Sequence, residues 1–330
     1  MMLRTALAAL AVGAVTVPAL AADLGSRKKP APAPVVSTSC KETAQTAVPA
    51  DAFGFSTGSD VSDVGAWALQ AEYNGGFNGG GFKTGRSDLH LGKIQASTAF
   101  VPCWEVGPYI LGTTLNGKYD GVAGSVKYSS FGAGIENKYK VFGRATHGFG
   151  LTLVFDPNIQ GFNQKDSTLL PNVSFSNTQY NATYKILLDK ELIAGKLWGA
   201  VNVQYDQIWT GRSAVLTPDG SGDYFRNSNL TLSAALSYQA IDGLFLGAET
   251  RYIRTHAGSF FNNYTGDALF VGPTFYWQAT KALSVSGTWG VQVTGNAKVP
   301  ATAPANIRNS DLNLITANQH IAKFKLAYSF

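Results

Sequence analysis

The sequence predicts an all-β protein, a transmembrane antiparallel up-and-down β-barrel of about 12 strands. Three observations carry the prediction. The chain closes on residues 317–330, where Ala322, Phe324, Leu326, Tyr328 and Phe330 share one parity and Lys323 and Lys325 the other. Such strict alternation marks a strand with two unlike faces. Similar alternating runs of roughly 9–14 residues, the length a tilted membrane strand needs, recur from about residue 64 onward. The links between these runs alternate without exception between short and long, which a soluble sandwich has no reason to do.

Composition agrees. Charged residues are 14%, aromatics 12% and glycines 36 of 330. The charged fraction is well below the usual quarter. Mean hydropathy is −0.01, yet no long apolar run follows the first twenty residues. Apolar residues dispersed at period two suit a barrel with lipid outside and water inside. The net charge is +5, one unit of it from Arg4. That mild excess gives no reason to expect nucleic acid as a partner.

In chain order, residues 1–21 read as a secretory signal peptide. Arg4 precedes an apolar run from Ala6 to Val17, and Ala19-Leu20-Ala21 supplies small residues before a cleavage point. Residues 22–63 read as a Pro-rich periplasmic tail. Arg27-Lys28-Lys29 leads into alternating prolines Pro30, Pro32 and Pro34, an extended pattern that cannot pair in a sheet. The two cysteines are Cys40 in the tail and Cys103 in a short link. Export to an oxidising compartment makes a bridge between them the expectation.

Residues 64–330 are the barrel. The predicted lipid-facing positions are Trp67, Leu69, Ala71 and Tyr73 in the first strand, and Gly92, Ile94, Ala96, Thr98 and Phe100 in the second. Tyr109, Leu111, Thr113 and Leu115 are assigned outward in the third, and Phe131, Ala133, Ile135, Tyr139 and Val141 in the fourth. Leu151, Leu153 and Phe155 mark the fifth, a short strand; Tyr180, Ala182, Tyr184 and Ile186 mark the sixth. Leu197, Val201, Val203 and Tyr205 mark the seventh, and Leu230, Leu232, Ala234, Leu236 and Tyr238 the eighth. Leu244, Leu246, Ala248 and Tyr252 follow, then Leu269, Val271, Phe275 and Trp277, then Leu283, Val285, Trp289, Val291 and Val293. Short links follow even strands and long links odd ones, the longest over 294–318 with Pro300 and Pro304. That order puts both termini on the periplasmic side of an outer membrane. The longest link is expected to be able to fold inward as a constriction.

The opposite parity lines the lumen. Its charged members are Glu72, Lys93, Glu136, Lys138, Lys140, Arg144, Lys185, Asp206, Glu249, Arg251, Lys323 and Lys325. Charges on one parity require water or a paired network inside. An open lumen with this excess of cations would pass small hydrophilic solutes with a weak preference for anions. The alternative is a lumen closed by its own ion pairs. Trp198, Phe245, Phe270 and Tyr276 share the inward parity and would narrow the lumen, grip a ring, or simply pack.

No catalytic, metal or cofactor motif stands out. His90 and His320 fall two strands apart on the outward parity, but no serine motif or third ligand accompanies them. An enzyme acting on membrane lipid is therefore the least favoured class. A structural or adhesive barrel, presenting loop aromatics such as Phe260, Phe261 and Tyr264, is the main alternative to a channel.

The signal followed by Ala22-Asp23-Leu24, the basic-Pro tail, the stretch from Phe53 to Val61 and the terminal Phe330 resemble outer-membrane β-barrel proteins of alphaproteobacteria, a porin-like group of Gram-negative bacteria. The resemblance implies outer-membrane lipids and lipopolysaccharide, the barrel-assembly machinery and small hydrophilic solutes as partners. It implies no particular solute.

Overall fold

A computed structural model describes residues 48–79, 86–118, 125–165, 175–212, 223–298, 311–314 and 316–330. The predicted signal peptide, most of the tail, Cys40, Pro300 and Pro304 lie outside them. Twelve antiparallel strands form one closed barrel, each paired with its neighbours in the chain and β1 with β12. They are β1 (Trp67–Gly79), β2 (Arg86–Val101), β3 (Trp104–Lys118), β4 (Ser125–Phe142), β5 (Gly150–Lys165), β6 (Phe175–Ile193), β7 (Leu197–Arg212), β8 (Asp223–Ile241), β9 (Leu244–Ala257), β10 (Tyr264–Gln278), β11 (Leu283–Ala297) and β12 (Asn318–Ser329). A single helical turn, α1 (Arg144–His147), sits in the link between β4 and β5.

Closure follows the alternation of the last strand. Leu69 faces Tyr328, Glu72 faces Lys325 and Tyr73 faces Phe324 across the β1–β12 seam. Trp67 and Phe330 exchange backbone hydrogen bonds at 3.1 and 2.9 Å and seal its lower corner. Because side chains repeat every two residues, this register puts Leu69, Phe324, Leu326 and Tyr328 outside and Glu72, Lys323 and Lys325 inside. The outer surface is a belt of exposed large apolar side chains, including Ile94, Phe131, Val201, Leu236, Trp277 and Trp289.

Two expectations need correction. The strands run well past the predicted lipid-crossing stretches: β6 and β8 each have 19 residues, about 60 Å of strand at 3.3 Å per residue. Much of what reads as loop in the sequence is hairpin, and β5 continues through Pro157 to Lys165. The facing of β3 is also reversed. Tyr109 and Leu111 are buried inside, while Trp104 and Ile110 are exposed outside. Both parities of β3 carry apolar residues, so apolar alternation alone does not orient it.

Candidate functional site: an occupied lumen and the chamber above it

The largest departure from the sequence reading concerns the tail. Residues 48–63 do not trail away from the barrel; they fold into the end of the lumen that carries the short links. Val48, Ala52 and Phe53 are buried and cluster with inward-facing Trp198, Ala200, Ala235, Phe245 and Tyr276. The Trp198 and Phe245 rings lie 5.5 Å apart, and Phe245 and Tyr276 5.9 Å apart. Three of the four predicted lumen aromatics thus hold an apolar side chain of the chain's own N-terminal segment. Phe270 is buried outside this cluster.

The segment is shaped as a compact loop by the N–H of Gly58 bonding to the carbonyl of Ala50 at 2.8 Å. At Gly54 the backbone has φ +83°, and a Cβ there would lie 2.6 Å from Thr274 and 2.7 Å from Glu249. Only glycine meets both the left-handed geometry and the close approach to the wall.

Polar contacts then fix the segment to seven strands and α1. Glu249 accepts from the N–H of Phe55 at 2.8 Å, and from the N–H and hydroxyl of Ser56 at 2.6 and 2.7 Å. Asp189 accepts from the N–H of Ser59 at 2.5 Å and from Arg144 at 2.6 Å. Asp60 pairs with Lys140 at 2.8 Å and with Arg144. Glu105 accepts from the N–H of Ser62 at 2.7 Å. Thr152 donates to the carbonyl of Ser59 at 2.5 Å, and Asn202 to that of Thr57 at 3.0 Å. Asp51 pairs with Lys325 at 2.9 Å, and Lys323 donates to the carbonyl of Gly54 at 3.2 Å. Buried charges survive here because each meets an opposite charge or several donors.

Above the segment lies a cavity of about 390 Å³, floored by Asp51, Phe55 and Thr57. Its charged lining consists of Lys93, Lys138, Lys185, Arg251, Lys323 and Lys325 against Asp51, Glu72 and Glu136. Part of this wall is paired. Lys138 reaches Glu105 at 3.0 Å and Glu136 at 3.3 Å, Lys185 reaches Glu136 at 3.6 Å, and Lys323 reaches Glu72 at 3.7 Å. Lys93 lies over the Tyr109 ring at 5.1 Å, and the Arg251 guanidinium over the Phe55 ring at 4.8 Å.

The predicted site residues therefore divide. Lys93, Glu136, Lys138, Lys185, Arg251, Lys323 and Lys325 line the chamber. Lys140, Arg144 and Glu249 hold the inserted segment instead. Asp206 is engaged by Thr183 at 2.7 Å and Gln204 at 2.9 Å.

Five buried or lumenal carboxylates escape the sequence reading: Asp51, Asp60, Glu105, Asp156 and Asp189. Two belong to the inserted segment, and Glu105 lies on the strand whose facing is reversed. Asp156, which accepts from the Tyr109 hydroxyl at 2.5 Å, and Asp189 lie where the strands outrun their predicted ends. With them the lumen as a whole is no longer dominated by cations. The excess is local: carboxylates gather around the inserted segment, while cations predominate in the chamber.

Cys103, at φ 69°, is disulfide-bonded. Most of the long link between β11 and β12 lies outside the described residues; within it Asn313 is buried and its carbonyl accepts from inward-facing Gln292 at 3.2 Å. His90 and His320 pack beside Phe77 and Trp289 on the outer face. No group of three or more side chains suited to a metal occurs among the described residues.

A family model matches residues 49–330, taking in the inserted segment together with the barrel. The chain belongs to the family of unknown function DUF6662. No curated protein matches its sequence. Among solved structures, the chain is similar to the beta domain of the Bordetella autotransporter BrkA, at 11% identity and a TM-score of 0.55, covering 80% of this chain and 98% of that one. An outer membrane channel from Pseudomonas putida F1 matches at 10% identity and a TM-score of 0.49, over 82% of this chain and 98% of that one. The DUF6662 barrel thus has the fold of outer-membrane β-barrels.

Proposed function

We propose that this protein is an outer-membrane channel for small hydrophilic solutes, with an anion preference set by the chamber and with residues 48–63 limiting flow. Both termini lie in the periplasm in this reading, and the apolar belt meets lipid. The observation that carries it is the chamber wall, where six cationic side chains stand against three carboxylates around a polar cavity. A barrel serving only as a scaffold has no need of a charged, water-accessible interior, and cations facing a narrow lumen concentrate anions there. The inserted segment makes the resting state poorly conducting, so passage requires its displacement.

The test is planar-bilayer recording on purified protein under a potassium chloride gradient. The reading expects small conductance from the native chain, larger conductance when residues 48–63 are loosened by Phe53→Ala, and a reversal potential on the anion side. A folded Phe53→Ala protein that conducts nothing would overturn it and favour a structural or adhesive barrel.

A further inference from the structure

Three of the six chamber cations do double duty. Lys325 pairs with Asp51 at 2.9 Å, Lys323 donates to the carbonyl of Gly54 at 3.2 Å, and Arg251 lies over the Phe55 ring at 4.8 Å. All three also line the cavity. The groups that grip the upper surface of the inserted segment are therefore the groups that would receive an anion arriving in the chamber. Their hold is not saturated. The Nε of Arg251 is buried without a hydrogen-bond partner among the described residues, and Lys323 is the more loosely held, 3.7 Å from Glu72.

We infer that the chamber is a binding site for a multivalent oxyanion, a small dicarboxylate or a phosphate, and that filling it frees Asp51, the Gly54 carbonyl and the Phe55 ring from the chamber cations. The inference rests on the channel reading for its purpose but not for its evidence. A cavity of about 390 Å³ has room for about a dozen waters at about 30 Å³ each, enough for such an anion and part of its hydration. Two negative groups can engage Lys323 and Lys325, which stand on one face of β12 beside Asp51, whereas Asp51 offers one. An anion that binds the released arrangement better than the gripped one shifts the equilibrium by that difference. The Glu249, Asp189 and Asp60 contacts do not face the cavity, so the contacts of Asp51, Gly54 and the Phe55 ring loosen first, while Glu249 still holds the Phe55 and Ser56 amides.

Hydrogen–deuterium exchange of the full-length protein in detergent reads this without requiring conduction. Succinate and inorganic phosphate are the two probes, with sodium chloride at equal ionic strength as the control. Amides of residues 51–54 should exchange about tenfold faster with a probe than with chloride. Lys325→Gln should raise their exchange without any probe and blunt the response to both. The arms also separate carboxylate from phosphate as the better ligand. Equal exchange in probe and chloride would overturn the inference, as would an undiminished response in Lys325→Gln. Conductance from the same preparations reports on the channel reading separately.

Discussion

Ser56 and Glu249, 193 residues apart, meet inside the barrel, where one carboxylate oxygen accepts both the main-chain N–H and the hydroxyl of the serine at 2.6 and 2.7 Å. The second oxygen accepts the N–H of Phe55 at 2.8 Å. Glu249→Gln keeps the shape but replaces one acceptor oxygen with a donor amide, which then faces an N–H. Charge-assisted bonds of this kind contribute about 1.5–3 kcal/mol each. The substitution should weaken docking of the segment by about 2 kcal/mol, about thirtyfold in local opening. Faster amide exchange confined to residues 53–57 is the expected readout, and exchange unchanged from the native protein would show that Glu249 does not hold the segment.

Phe53 tests the apolar half of the same attachment. It is wholly buried against Trp198, Phe245 and Tyr276. Phe53→Ala should cost about 3–5 kcal/mol of docking, more than any single polar contact. The barrel does not depend on it, because Phe53 lies in no strand. The variant should therefore still migrate faster on gels unheated than boiled, as folded single-chain barrels do, while its conductance rises. Loss of the folded band would mean that the segment is part of the barrel's folding core.

These two residues also show where sequence reading succeeds and stops. Strand number and the β1–β12 seam are legible because lipid on one side and water on the other impose period two on every strand. Residues 48–63 have no such constraint. Val48, Ala52 and Phe53 follow the spacing of a turn, and nothing local says that their apolar partners are Trp198 and Phe245. One clue was present in the charge. The inward parities of the strands showed more cations than carboxylates, and Asp51 and Asp60 supply part of the difference. For β3 the clue was Glu105, which shares the parity of Tyr109 and Leu111 and would have to face lipid if they did.

The facing of β3 can be checked directly. Ile110 is exposed on the outer belt and Leu111 faces the lumen. Ile110→Lys should cost about 2–4 kcal/mol of folding stability in lipid vesicles, as a cation does near the middle of a membrane barrel's outer face. Leu111→Lys should cost less, because its amine reaches the polar interior. Denaturant titration of both variants in the same vesicles gives the comparison. A larger cost at Leu111 would restore the facing expected from apolar alternation.

The chamber charge predicts a position-dependent selectivity. Lys93 faces Glu72 across the β1–β2 ladder and lines the cavity, whereas Lys196 is exposed in the link between β6 and β7. Reversing either changes the net charge by the same amount. Only at Lys93 does the new carboxylate stand within the walls that focus the field, where it also leaves Glu72 with one cation fewer. An exposed charge is screened over about 10 Å at 0.1 M salt, so Lys196→Glu acts weakly on ions inside. In the Phe53→Ala background, where flow is large enough to measure, Lys93→Glu should move the reversal potential toward the cation side and Lys196→Glu should leave it nearly unchanged. Equal shifts from the two would place selectivity in the surface charge of the whole molecule, and no shift from Lys93→Glu would place the narrowest part of the path away from the chamber.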